Sequence, residues 1–505
     1  MLAKILDQTH PCYDAGLLKT YHALYAGGRA FESMKTELLP RAPLEGDQRY
    51  NDRQQHMSYE NHVAPLIDNV VAWLFSRPPI VNGIAPPEWL DDVDRRGTDW
   101  SAWWRDPFGD ALQDGRAFVW VNLPRRTVDA ANRLDEERAG LNRPLLVSIE
   151  ARDVINWTDD EVGNLASVMV RTHETIQTNL LGEARRVVRW TYIDRNTIDR
   201  WEWEPTKDKA HPSEGDDVPR AAGFPIDHRV GRMPVVRLAL PSGMHAGEKM
   251  RETAIDLLRT EHDQSWSLRV AGHPILTVTT AEGGVTGADR RPIVSAGAYI
   301  GLARDGDGKD EVAYVEPPGG SFEARAKQIE RLTDGLHRVV QQIATAMSSD
   351  SASKAGKSGA AKMADWKSME VMLTAYADRV RTCMEQVLDI VAGQPLLNLD
   401  RATVSVAGLA GWSEADVMDM VATFAAAFPE VKSTTFRKTA AKQMARRLLP
   451  DAPEELRRTI DAEIDAADYD DAMVAPMGGK TTAGTEDDAE EEAGGKGDGG
   501  ESVAD

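Results

Sequence analysis

AYVEPPGGSFEARAKQIERL, residues 313–332, decides the architecture. A short run of β-branched and aromatic residues stops at Pro317-Pro318-Gly319-Gly320, and Ser321 then has the chemistry of a helix N-cap. Beyond it Ile329, Leu332, Leu336, Val339 or Val340, and Ile343 fall on one helical face. The reverse switch lies upstream. Glu248 to Ala271 reads as a helix that stops at Gly272-His273-Pro274, and PILTVTT comes next as a strand. RPIVSAGAYIGLA and EVAYVEP complete a set of short strands, joined by the turn sequences AEGGVTGADR and RDGDGKD. A β module of roughly 45 residues is thus inserted between two helices, which predicts a helical hairpin with a β tip.

Working outward toward the C-terminus, SSDSASKAGKSGAAKM, residues 348–363, carries Gly356-Lys357-Ser358 ahead of a helical run. A phosphate-binding loop needs a glycine five residues before its Gly-Lys-Ser, and a strand leading in. That position is Ser351, and the preceding element is a helix, so the backbone cannot cradle phosphate and nucleotide hydrolysis is not expected here. The longest helix begins near Ser358. Trp366, Met369, Leu373, Tyr376, Val380, Cys383, Val387 and Val391 step by three and four, and Gly393-Gln394-Pro395 stops it. Ser413 to Ala467 reads as all-helical, with Ser413 and Asp416 resembling a capping arrangement and with prolines at 429, 450 and 453 as breaks.

Toward the N-terminus, the first 85 residues look helical. In YENHVAPLIDNVVAWLFSRPPIV, Tyr59, Val63, Leu66, Val70 and Leu74 make one apolar face that Pro78-Pro79 ends. A second helix over Trp100 to Leu112 carries Trp100, Trp103 and Trp104, aromatics of the kind that fill a core. From Phe118 to Leu240, AFVWVNL, PLLVSIE, ASVMVRT, RVVRWTYI and DRWEWEP read as strands of a mixed or antiparallel sheet. Trp201-Glu202-Trp203-Glu204 suits a strand with one wet face. Lys207 to Arg229 is expected to be a loop, and MPVVRLALP returns as a strand.

Composition narrows the function classes. The chain has 505 residues, 42% apolar and 28% charged, with a formal net charge of −22. Length alone suggests two to four domains. No apolar run of membrane-spanning length occurs, and no signal peptide is expected from the first residues. Cys12 and Cys383 have no CxxC partner, which argues against a disulfide framework or zinc cluster and fits a reducing compartment. TEDDAEEEAGGKGDGGESVAD, residues 485–505, has too few large apolar groups to offset ordering and is expected to be disordered. Even without it the chain is acidic, unlike a tight static binder of nucleic acid.

Catalytic motifs are not found. Asp305-Gly306-Asp307-Gly308-Lys309-Asp310 lacks the fifth-position acid or amide and sixth-position glycine of a calcium loop, and reads as an acidic turn. There is no GxSxG or HExxH. His262 and His337 read as packing or surface residues, and Glu136-Glu137, Asp159-Asp160 and Asp216-Asp217 as solvated charge. No catalytic residue, metal or cofactor is expected.

The order of elements, and several stretches within them, resemble the portal proteins of tailed bacteriophages, the head–tail connectors. YENHVAPLIDNVVAWLFSRPPIV is similar to the family's N-terminal helix with its proline pair, and FGDALQDGRAFVWVNLP to its helix–Gly–strand step. ARDVINWTDD resembles a strand ending in Ile-Asn-Trp, MPVVRLALP and AGHPILTV the approach to stem and clip, and residues 313–332 the return. The resemblance runs from about residue 10 to 468 and implies an α+β portal-type fold. That fold has a mixed α/β wing over 1–247, stem helices over 248–272 and 321–346, and a β clip over 273–320. A tunnel loop over 347–362, a long supporting helix and wing return over 358–410, and a helical crown over 411–468 precede an acidic tail over 469–505.

The resemblance also implies partners. Family members form rings of twelve at one capsid vertex, through which double-stranded DNA passes without sequence reading. They dock the terminase large subunit, then a head–tail adaptor, and meet the major capsid and scaffold proteins, with no membrane involved. Ser353, Lys354, Lys357, Ser358 and Lys362 would face DNA from the tunnel loop. Arg290, Arg291, Asp305, Asp307 and Lys309 would meet motor and adaptor from the clip. Arg325, Lys327, Glu330 and Arg331 are candidates for salt bridges between ring subunits. The basic stretch STTFRKTAAKQMARR, residues 433–447, would either meet DNA at the crown or pair with acidic neighbours. A tail or baseplate structural protein, or a nucleotide-dependent nucleic-acid-processing enzyme, is the alternative.

Overall fold

The computed structural model describes residues 2–76, 78–82, 89–122, 143–177, 182–206, 208–213, 215–228, 230–271, 275–280, 299–303, 311–315, 320–344, 359–392, 405–409, 433–448 and 454–467. The chain divides into two units, Met1–Trp412 and Ser413–Asp505.

The first unit opens with five helices: α1 Leu2–Leu6, α2 Ala15–Ala26, α3 Gly28–Leu38, α4 Asp47–Gln55 and α5 Val63–Leu74. Local capping sets these boundaries. Asp14 Oδ1 accepts the Leu17 N–H at 2.9 Å and starts α2. Asn61 Oδ1 accepts from the amides of Val63 at 3.1 Å and Ala64 at 3.0 Å, so α5 begins at Val63. Tyr59, expected on that helix, lies outside it and stacks on Phe31 with ring centroids 4.9 Å apart. Val63, Leu66, Val70 and Leu74 are buried as their spacing predicts. The expected helix over 100–112 is two helices, α6 Trp100–Trp103 and α7 Arg105–Asp114, with α6 capped by Asp99. Trp100, Trp103 and Trp104 are all buried in the core.

Antiparallel strands then form two sheets. β2 Arg116–Asn122 lies between β3 Leu145–Glu150 and β9 Val235–Ala239. β4 Val154–Asp159, β5 Leu165–Ile176, β6 Arg185–Ile193, β7 Thr197–Trp203 and β8 Ile226–Asp227 form the other, in that order. The short β8 interrupts the loop expected over 207–229. A separate pair joins β1 Ile80–Asn82 to β13 Ser405–Ala407. β2 is buried from Ala117 through Val121 because both of its faces are covered. Ala117, Val119 and Val121 enter the core shared with the helices. Phe118 and Trp120 enter a second core with Trp157, Val168, Val170 and Ile193 of the five-stranded sheet. On β7 the expected alternation holds: Trp201 and Trp203 pack inward, while Glu202 and Glu204 pair with Arg189 at 2.8 Å and Arg185 at 2.6 Å.

Three long helices complete the unit: α8 Ala246–Ala271, α9 Gly320–Ala344 and α10 Gly359–Ala392. Leu373, Tyr376, Val380, Cys383, Val387 and Val391 of α10 are buried, on the face the sequence predicts. Tyr376 packs its ring 5.6 Å from Phe108 and donates its hydroxyl to Met244 O at 2.7 Å, tying α10 to the residues just before α8. There α7 ends at Gly115, whose φ of 79° is a left-handed cap conformation. His245 Nε2 lies 2.9 Å from Gln113 O. Gly247 sits so close that a Cβ would fall 2.0 Å from the same carbonyl.

In the second unit, α11 Thr434–Leu448 packs against α12 Glu454–Ala466. Lys442 pairs with Asp465 at 2.6 Å, and Lys438 Nζ donates to Asp465 O at 2.7 Å. Of the two expectations for the basic stretch, pairing with acidic neighbours is what these two lysines do.

Replacing Gly247 with alanine forces the junction of α7 and α8 apart and is expected to cost about 1–3 kcal/mol. Gly243→Ala, where an added Cβ meets no described atom within 4 Å, serves as the neutral control. Denaturant midpoints at unchanged slope measure both.

Candidate functional site

α8 and α9 pack as an antiparallel hairpin. Arg325, near the start of α9, donates to Asp263 O at 3.4 Å and to Ser267 Oγ near the end of α8. Ten residues on, a Cβ at Gly335 would lie 3.6 Å from Thr253 Cγ2. α9 begins at Gly320, so Ser321 is inside the first turn and does not cap it. Leu332 and Leu336 are buried, with Ile329 and Val339 packed partly against the same core. The side chains of Val340 and Ile343 lie outside the described residues.

Between the two helices β10 Ile275–Thr280, β11 Tyr299–Ala303 and β12 Glu311–Val315 form a three-stranded sheet with β10 in the middle. β10 pairs with β12 antiparallel, from Ile275↔Val315, and with β11 parallel, from Leu276↔Tyr299. The inserted β module is therefore a sheet of its own.

Ser353, Lys354, Lys357 and Ser358 lie outside the described residues, as do Arg290, Arg291, Asp305, Asp307 and Lys309. Lys362 falls in the first turn of α10. Arg325 is hydrogen-bonded to its own hairpin partner. Lys327, Glu330 and Arg331 are exposed. Asp159 and Asp160 are not merely solvated: they pair with Arg237 at 3.1 Å and Arg195 at 3.2 Å, and Asp160 accepts the amides of Val162 and Asn164 to shape its turn. His262 is buried in packing and His337 is exposed.

A cleft of about 710 Å³ runs between β9, the β4–β5 turn and α10. Arg232, paired with Asp389, lines it together with Arg195, Arg237 and Arg379. Val121 N–H bonds Pro234 O at 2.8 Å and Leu240 N–H bonds Gly115 O at 2.9 Å. Ladder alternation then turns the N–H and C=O of Val235, Arg237 and Ala239 away from β2, toward the cleft. Sequence reasoning did not single out this backbone edge, because its residues are brought together from four separate segments.

Two carboxylates on α7 are drawn back from solvent. Burial pushes Asp114 up to about 7, assisted by Glu150 and opposed by the Gln113 side-chain amide. Asp110 is pushed up to about 7 by burial and by Glu150, Asp114 and Asp106.

No family model matches the chain, and no curated protein matches it. Among solved structures it is similar to a chain of the virion of a native gene transfer agent particle, at 11% identity and TM-score 0.40, over 84% of this chain and 99% of that one. It is likewise similar to a chain of the neck of the native particle computed with C12 symmetry, at 10% identity and TM-score 0.40, over 81% of this chain and 98% of that one.

Asp114 holds a proton in the folded chain that the unfolded chain has already released above its ordinary 3.8. Its contribution to stability is therefore lost as pH rises from that value through about 7. Asp114→Asn is expected to raise stability by about 1–2 kcal/mol at pH 8 and to leave it nearly unchanged at pH 4. Thermal unfolding at the two pH values reads the difference.

Proposed function

We propose that the chain is the portal protein of a tailed-phage-like particle, assembling into a ring, expected to be of twelve, through which double-stranded DNA is packaged and ejected. The observation that supports this reading best is the hairpin of α8 and α9 carrying its own small sheet, with the 34-residue α10 after it. In this reading the hairpin is the stem, the sheet the clip, and α10 the strut beneath the tunnel loop. At about 1.5 Å per residue α10 reaches on the order of 50 Å, long enough to carry a loop from the wing to a channel.

The physics of a conduit agrees with the composition. DNA must slide, so the wall must not neutralise many phosphates at once, since each neutralised phosphate releases counterions and strengthens binding. An acidic body repels the polyanion. Lys354, Lys357 and Lys362, with the hydroxyls of Ser353 and Ser358, supply a few exchangeable contacts. Arg290, Arg291, Asp305, Asp307 and Lys309 on the clip meet the terminase large subunit and afterwards the adaptor, both separate proteins, and the wing meets capsid and scaffold proteins. Closing a ring by rotation needs a head-to-tail interface between unlike faces. The nucleotide chemistry resides in the motor, and Gly356-Lys357-Ser358 acts as a sliding contact.

End-on electron micrographs of the assembled protein are expected to show a ring with a central hole, and a solitary globule refutes the reading. A Lys354→Ala/Lys357→Ala/Lys362→Ala variant is expected to assemble normally but to package or retain less DNA, with a flatter salt dependence of DNA retention. Packaging at the unmodified level in that variant removes the loop from the mechanism.

A further inference from the structure

Glu60, His62 and Glu261 bring one donor atom each to within 4.8 Å of one another. Glu261 lies on α8, and Glu60 and His62 lie in the turn that precedes α5. His62 Nε2 is 3.2 Å from Glu261 Oε1, close to the separation of about 3.4 Å that two donors take on one tetrahedral cation. His62 and Glu261 are 23% and 22% exposed at their side chains, so both are drawn back from solvent yet remain reachable.

The turn is held in place independently of these three side chains. Asn61 Nδ2 donates to Tyr25 O at 2.7 Å, and Asn61 Oδ1 caps α5. The Tyr59 hydroxyl donates to Leu24 O, and His62 N–H donates to Glu60 O at 3.1 Å. The donors on either side of Asn61 are thus presented by a fixed backbone, which lowers the cost of ordering them around an ion.

Two carboxylates and one imidazole thus converge on one point, a mixed oxygen and nitrogen donor set of the kind a divalent transition-metal ion takes.

We infer that Glu60, His62 and Glu261 form a binding site for a divalent transition-metal ion of the zinc class, which braces α8 to the turn before α5. An imidazole nitrogen with two carboxylates favours zinc over magnesium or calcium, which take all-oxygen sets. Water completes the coordination sphere.

The test uses the full chain, stripped with chelator and dialysed against Zn²⁺, with metal per chain measured by mass spectrometry. One zinc per chain is expected at micromolar metal. His62→Ala and Glu261→Gln are each expected to weaken binding at least tenfold, while exposed His337→Ala leaves it unchanged. Circular dichroism before metal addition confirms that the variants are folded, and His62→Gln replaces His62→Ala if that chain unfolds. Equal zinc occupancy in the unmodified and His62 variant chains, or stronger retention of Mg²⁺ than of Zn²⁺, overturns the site.

Discussion

The structure of the first unit depends on burying β2 from both sides at once. A strand with Phe118 and Trp120 on one face and Val119 and Val121 on the other has no wet side, so its sheet must be roofed by helices and floored by a second sheet. The five-stranded sheet supplies the floor, and α5, α7 and α10 contribute to the roof. With both faces enclosed, the elements next in the chain are fixed in direction. α7 runs directly into β2 through Gly115, and β9 returns through Leu240 to the first turn of α8.

That return is where the enclosed core grips the hairpin. Gln113 O meets His245, the missing Cβ of Gly247 lets the chain pass close by, and Tyr376 bonds Met244 O from the long helix. Three elements distant in sequence share one small junction. The cleft beside β9 lies on the same body, with α10 as one wall.

Electrostatics obey the same division between enclosed and open. Several described arginines of the first unit have local partners: Arg189 pairs with Glu202 and Glu174, Arg237 with Asp159, and Arg232 with Asp389. Lys438 and Lys442 of the second unit are held by Asp465. The chain as a whole carries a formal charge of −22.

Much of this was legible in sequence because helices and strands write their periods locally. The faces of α9 and α10, the hairpin with its inserted strands, and the Trp–Glu alternation of β7 needed nothing beyond spacings of three, four and two. Tertiary structure alone decided where pieces distant in the chain meet. Asn61 rather than Tyr59 begins α5, the tryptophan helix breaks in two at Trp104, and β11 joins β10 in parallel. The approach of His62 to Glu261 across the fold, and the assembly of the β9 cleft from scattered segments, belong to the same class. A single strand's pattern says which side is buried but not what buries it, since that choice rests on packing energies summed over partners far away in the chain.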